Sequence, residues 1–222
     1  MTGDKRISMA VIRRLPRYFR YLTDLIRLDI RRISSKELSE RMDITASQIR
    51  QDLNCFGGFG QQGYGYNVQS LYEEIGRILG VERRFRCALF GAGNMGNALA
   101  NYENFQRRGF DIVAIFDVDP AKVGTRINGI PVLHTDTFET HAAKNPVDIA
   151  MLTVPNRIMP DITARVVAAG VKGIWNFSPT DLKLGDDVVV ENVHLSDSLM
   201  VLGYRLIEKL REDDRKTTRS DR

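Results

Sequence analysis

Phe85-Arg86-Cys87-Ala88-Leu89-Phe90-Gly91-Ala92-Gly93-Asn94-Met95-Gly96 decides the fold of the larger part of this chain. A short apolar run enters a G-x-G-x-x-G turn, and a helix is predicted from about residue 94 to 106. Gly91 permits the tight turn, Gly93 lets backbone approach a diphosphate, and Gly96 allows close packing of helix on strand. Unpaired N–H groups at the start of that helix, with Ala92, Asn94 and Met95 around them, favour negative charge. The next predicted strand, residues 111–116, ends at Asp117, twenty-one residues beyond Gly96. An acid there accepts hydrogen bonds from an adenosine ribose and repels a 2′-phosphate, so NAD(H) is expected over NADP(H). The alternative for Asp117 is an ordinary turn residue in Asp-Val-Asp-Pro.

Outward from this unit the alternation continues, with a strand near 147–154, a helix from about 157 to 169, a strand at 171–177 and another at 187–191. This is the pattern of a doubly wound parallel α/β sheet of the Rossmann type. Ligands lie at the carboxyl ends of such strands, which places Val154, Pro155, Asn176, Phe177 and Ser178 near the cofactor. His134 and His141 fall in an irregular stretch before the strand at 147–154. No Cys–His or Ser–His–Asp pairing stands out, and no His/Cys spacing suits a metal. About 30 residues follow the last strand. Leu195, Leu199, Leu202, Leu206 and Leu210 form an apolar stripe before a charged tail, so this helix either covers its own sheet or packs on a second subunit. A dehydrogenase usually brings a second domain for its substrate, and there is no room for one here.

The front of the chain has a different character. Residues 1–84 hold 15 Lys+Arg against 10 Asp+Glu, whereas residues 85–222 hold 17 against 18. A basic front on a near-neutral body suits a polyanion, although a solvated charged helix has the same composition. Ile12, Leu15, Phe19, Leu22 and Ile26 mark an amphipathic helix, with a break or restart expected near Pro16. Ser34 with Glu37, and Thr45 with Gln48, are two capping boxes eleven residues apart. They open two short helices joined at Asp43-Ile44, a helix-turn-helix pattern. On the second helix Ser47, Arg50, Gln51 and Asn54 share one polar face that can hydrogen-bond base edges and phosphates, or simply face solvent. Phe59 to Val68, with Gln61, Gln62, Tyr64 and Tyr66 around three glycines, reads as a hairpin and so as the wing of a winged helix, or as a linker. A helix over 68–80 and Val81–Arg84 close the first domain. No run of about 18 apolar residues spans a membrane, no secretory leader is visible, and two cysteines, Cys55 and Cys87, suit a reducing cytoplasm.

Thr45–Leu53, Phe56-Gly57, Gly63–Val68, Gly91–Gly96, Phe116–Pro120 with Lys122-Val123-Gly124, and Asn176–Pro179 together resemble the Rex family of redox-sensing transcriptional repressors. The resemblance spans nearly the whole chain. It implies four segments: a winged-helix DNA-binding domain over 1–84, an NAD(H)-binding Rossmann domain over 85–193, a C-terminal helix over 194–212 swapped between the subunits of a homodimer, and a charged tail over 213–222. It further implies a regulator, not an enzyme, that holds double-stranded operator DNA when NAD+ prevails and releases it when NADH binds. By that resemblance Arg50 reads bases, with Ser47, Gln48, Gln51, Asn54 and the wing residues beside it. Tyr102 responds to the cofactor, and Arg20 reports its state. The chain departs from the family's habit at Gln61-Gln62, where relatives often carry basic residues, at Asn54-Cys55, and at His194, where relatives often carry Asp. The alternative from the residues alone is a small NAD-dependent oxidoreductase with a basic assembly domain.

Overall fold

The computed structural model describes residues 7–56, 60–61 and 65–220, and the chain divides into two units, Met1–Arg84 and Phe85–Arg222. The first unit contains α1 (Met9–Ile12), α2 (Leu15–Arg27), β1 (Arg32–Ile33), α3 (Ser35–Met42), α4 (Ala46–Asn54), β2 (Gly60–Gln61), β3 (Gly65–Asn67) and α5 (Val68–Leu79). Pro16 sits in the first turn of α2, where its missing N–H costs nothing, so the amphipathic run breaks where expected. Leu15, Tyr18, Leu22 and Leu25 of α2 meet Leu38 and Met42 of α3, Ile49 and Leu53 of α4, and Leu71 and Ile75 of α5 in one buried core. Phe19 stacks on Tyr72 with ring centroids 4.4 Å apart. β1, β3 and β2 form a small antiparallel sheet in that order.

The two caps differ. Ser34 and Glu37 close a full capping box, each side chain meeting the other's backbone N–H. At α4 the Thr45 hydroxyl accepts from the Gln48 N–H, but the Gln48 side chain does not return to Thr45. It donates instead to Asp52 Oδ1 at 2.8 Å, because a buried carboxylate one turn on outcompetes an exposed backbone N–H.

The second unit contains β4 (Phe85–Phe90), α6 (Asn94–Ala100), α7 (Asn104–Arg107), β5 (Phe110–Asp117), β6 (Arg126–Ile127), β7 (Ile130–His134), α8 (Phe138–Lys144), β8 (Ile149–Leu152), α9 (Met159–Ala168), β9 (Gly173–Asn176), β10 (Val189–Asn192) and α10 (Leu195–Ser220). Its sheet runs β10-β9-β8-β4-β5-β7-β6, parallel except for β6 at the edge. Strand order reverses between β4 and β8, which puts the switch-point crevice at the ends of those strands. The stretch expected to be irregular holds β6, β7 and α8. Asn128 and Gly129 both have positive φ (50° and 77°), the two-residue turn that makes β6–β7 a hairpin. The helix expected over 94–106 is two helices, and the side chain of Asn101 bonds the Asn97 carbonyl (2.8 Å) where the first one ends.

Helices α8 and α9 cover one face of the sheet through Phe138, Met159, Ile162 and Val166. Helices α6 and α7 cover the other face over β4, β5 and β7. The β9–β10 connection carries no helix, so on that second face β8, β9 and β10 are left with an apolar hollow of about 390 Å³ floored by Ile149, Met151 and Trp175. Helix α10 continues past the expected end at residue 212 to Ser220, and Leu199, Leu202, Leu206 and Leu210 are each more than half exposed on it.

The Arg14–Asp52 pair makes the first unit acid-sensitive. Burial pushes the Asp52 carboxyl up, but hydrogen bonds from Arg14, Gln48 and Tyr18 and the Arg14 charge outweigh it and hold the acid below its ordinary value. A carboxyl lowered on folding stabilises above its unfolded pKa of about 3.9 and loses that contribution as pH falls through the folded value. Acid titration of unfolding is expected to show this loss below about pH 4. Asp52→Asn is expected to remove that part of the slope and to cost about 2–3 kcal/mol at pH 7, because a buried pair loses its charge.

Candidate functional site

The crevice begins where β4 ends. Gly91 has φ +98°, and a Cβ there would lie 2.7 Å from the Thr153 carbonyl oxygen and 2.9 Å from its hydroxyl. A Cβ on Gly96 would lie 1.8 Å from the Gly91 carbonyl oxygen, so α6 is seated directly on the turn. A Cβ on Gly93 meets nothing within 4 Å, which leaves open space in front of the loop for a ligand. The Thr153 hydroxyl donates to the Phe90 carbonyl at 2.8 Å and ties the end of β8 to the turn. Asn94 is exposed, Met95 is half-buried in the first turn of α6, and Ala92 is buried.

Asp117 holds the loop from the far side. Its Oδ2 accepts from the Ala92 N–H at 2.6 Å and its Oδ1 from the Asp119 N–H at 2.8 Å. Lys122 Nζ stands 3.5 Å from Asp117 and 3.3 Å from Asp119. Burial raises the Asp117 carboxyl, but the two N–H donors and Lys122 lower it further, so the group stays ionised near neutrality. Oδ1, with one donor, keeps a lone pair for a further donor such as a ribose hydroxyl, whereas Oδ2 faces both the Ala92 N–H and Lys122.

The strand-end candidates divide. Val154 is half-buried and Pro155 exposed at the rim. Asn176 is fully buried, its Nδ2 donates to the Thr180 carbonyl (2.9 Å) and Asn192 Oδ1 (2.8 Å), and its Oδ1 accepts from the Ser178 N–H (3.0 Å). Its amide holds β9, β10 and the 178–182 turn together. Ser178 is likewise buried, with its hydroxyl bonded to Asn156. Phe177 is half-buried beside Trp175, and the rings of Tyr102, Phe105, Trp175 and Phe177 follow one another at 4.8, 5.4 and 4.5 Å. Tyr102 is half exposed in the break between α6 and α7. His194 Nε2 lies 2.7 Å from Asp181 Oδ1. Arg20 is exposed on α2, with its guanidinium 5.9 Å from the Tyr21 ring centroid.

On α4, Ser47, Arg50, Gln51 and Asn54 are all exposed along one face, whereas Gln48 is half-buried against Asp52. Arg50 Nη1 donates to the Ser35 hydroxyl at 3.1 Å, which holds the guanidinium over the start of α3. Only 7% of Tyr66 is exposed, because β3 turns alternate residues inward and the ring joins the first unit's core. Gln61 lies in β2, while Gln62 and Tyr64 fall outside the described residues. Sequence reasoning did not single out Thr153, Lys122 or Asp52. Asp52 carried a signal, an acid flanked by Ile49 and Leu53 on the inward stripe of α4 behind an arginine-rich helix.

The chain matches two family profiles, one described as CoA binding domain over residues 82–180 and one as putative DNA-binding protein N-terminus over residues 6–54. It is 56% identical over 212 residues to the redox-sensing transcriptional repressor Rex of Caldicellulosiruptor saccharolyticus, covering 96% of this chain and 97% of that one. It is 55% identical over 208 residues to the protein of the same name from Clostridioides difficile, covering 94% and 99%. Among solved structures, RSP, a Rex-family repressor, superposes in complex with beta-NAD+ and operator DNA at 52% identity and TM-score 0.86, over 96% of this chain and 98% of that one. RSP in complex with beta-NADH gives TM-score 0.87 at 49% identity, over 95% and 99%. Shared at this level across both of its units, the sequence belongs to the Rex family of redox-sensing transcriptional repressors.

Proposed function

We propose that this protein is a DNA-binding repressor that reads the NADH/NAD+ ratio of the cytoplasm, holding a near-palindromic operator with NAD+ and leaving it with NADH. The observation that carries this reading is the likeness, along both units at once, to a repressor solved with beta-NAD+ and operator DNA. The crevice fits the same ligand class. Gly91 and Gly96 shape the turn, Gly93 leaves the space a diphosphate needs, and Asp117 would accept from a ribose while its charge disfavours a 2′-phosphate. Val154 and Pro155 would line the nicotinamide end, with Phe177 and Tyr102 at the end of a row of rings.

Ser47, Arg50, Gln51 and Asn54 would enter the major groove, with Arg50 able to clasp guanine in a two-bond fork. Gln61, in β2, would lie with the wing along the backbone. Two such heads on a homodimer would meet half-sites about one helical turn apart. The hollow over Ile149, Met151 and Trp175 and the exposed apolar residues of α10 support a dimer in which the helix of one copy covers the sheet of the other. Arg20 and His194 are the residues through which the cofactor's state would reach the heads.

In this reading nucleotide occupancy is a message and not a reaction. NAD+ brings a positive ring and NADH a neutral one, and only a difference in affinity between two dimer states moves their equilibrium. Turning 99:1 into 1:99 takes about 5.5 kcal/mol, which two sites can share. The redox signal enters through the nucleotide and not through Cys87, whose thiol is pushed up to about 12 by burial and by Asp148 and Asp111, and so stays protonated and inert.

Three outcomes are expected. In a mobility-shift titration at fixed salt, NADH should release a duplex selected by the NAD+-loaded protein, and retention should fall steeply as salt rises. Unchanged DNA affinity across the NADH titration, or turnover of a hydroxy-acid substrate, would overturn the repressor reading. Asp117→Ala should weaken NADH binding about tenfold or more by calorimetry and narrow the preference over NADPH, since one charge-assisted contact is worth about 1.5–3 kcal/mol. Leu202→Asp/Leu206→Asp should turn the dimer into a monomer in sedimentation and abolish operator retention.

A further inference from the structure

Asp52 is 1% exposed, yet it lies on the helix that displays Arg50, Gln51 and Asn54. Its two oxygens accept four hydrogen bonds. Oδ2 takes Arg14 Nε at 2.7 Å and the Tyr18 hydroxyl at 3.0 Å, and Oδ1 takes Arg14 Nη2 at 2.7 Å and Gln48 Nε2 at 2.8 Å. These fill the roughly four acceptor positions of a carboxylate. Arg14 caps the start of α2 and Tyr18 sits in that helix's first turns, so three of the four bonds join α2 to α4.

Packing of Ile49 and Leu53 holds α4 against the core, but the hydrophobic driving force itself carries no direction. A two-bond arginine–carboxylate fork fixes a plane as well as a distance. A roll of about 20° moves a side-chain tip about 6 Å from the helix axis by about 2 Å. That exceeds the few tenths of an ångström a hydrogen bond to a base edge tolerates. Buried ion pairs are poor sources of net stability, and setting one arrangement among several is their best-attested use.

We propose that Asp52 is a positioning residue for DNA reading: its fork to Arg14 sets the roll of α4 so that Ser47, Arg50, Gln51 and Asn54 face the groove, and its bond to Gln48 withdraws that side chain from the reading set. The proposal rests on the DNA-binding reading above. It explains why Gln48 leaves its capping partner half-made, and it ties α2 and α4 into one body, so that any tilt of α2 is passed to the reading face without slack.

The test uses the full-length chain and duplexes that the wild-type protein selects from a randomised pool, compared with a scrambled duplex. Arg14→Met/Tyr18→Phe/Asp52→Leu replaces the polar cluster by apolar groups of similar size. Folded by circular dichroism, it should lose at least tenfold in the ratio of selected to scrambled affinity, while the salt dependence on the scrambled duplex stays that of wild type. A purely structural role would change the melting temperature and leave that ratio alone. Gln48→Ala should select the same base at every position. A folded triple variant with wild-type discrimination, or a Gln48→Ala protein with a changed base preference, overturns the proposal. Should the triple variant not fold, Arg14→Lys keeps the charge without the fork and should still lose several-fold in discrimination; full discrimination there overturns it equally. A wild-type chain that selects no duplex at all is a different outcome, and it removes the DNA-binding reading itself.

Discussion

The contact of Gly96 with the carbonyl oxygen of Gly91 leaves no room for a single carbon atom, and the geometry of the crevice follows from it. The absent Cβ lets α6 sit directly on the turn that ends β4. Because the turn is thereby held low, Asp117 at the end of the neighbouring strand can reach the Ala92 N–H, and Thr153 at the end of the strand on the other side can reach the Phe90 carbonyl. Three parallel strands are locked together at one end by groups that only a glycine turn admits. The binding crevice is the space that this lock leaves open.

The glycine turn and its acid were readable from the amino-acid order, since glycine spacing, the strand before it and the acid after it follow from short-range rules, whereas the Thr153 tie was not. The capped helices of the first unit were readable for the same reason: Ser34 and Thr45 each act on the N–H three residues on. What was not legible depends on distant partners. Asn176 and Ser178 stand at the right strand end, but their side chains turn to Thr180, Asn192 and Asn156, a choice fixed by how β10 returns to the sheet. Tyr66 alternates with residues whose exposure a short hairpin cannot announce, and its ring goes to the core. Asn128-Gly129 signals the hairpin at 126–134, but Pro131 and the short strands leave little alternation around it.

The two units solve different problems with the same chemistry. In the second, a carboxylate takes backbone N–H groups and a lysine to shape a loop and keeps one lone pair open. In the first, a carboxylate takes four side-chain donors and keeps none, so it serves orientation alone. An ionised acid near each functional surface therefore has opposite uses, and the number of bonds already made tells them apart.

The connection from β9 to β10 omits the helix that would otherwise roof the sheet. In the proposed homodimer, the apolar hollow left there is covered by the partner copy. Pair formation scales with the square of chain concentration when the chain is scarce, so halving the supply of protein cuts the number of finished pairs by up to about fourfold. In that dimer, expression level would be a second dial on gene control, acting alongside the metabolic one and more steeply than in proportion.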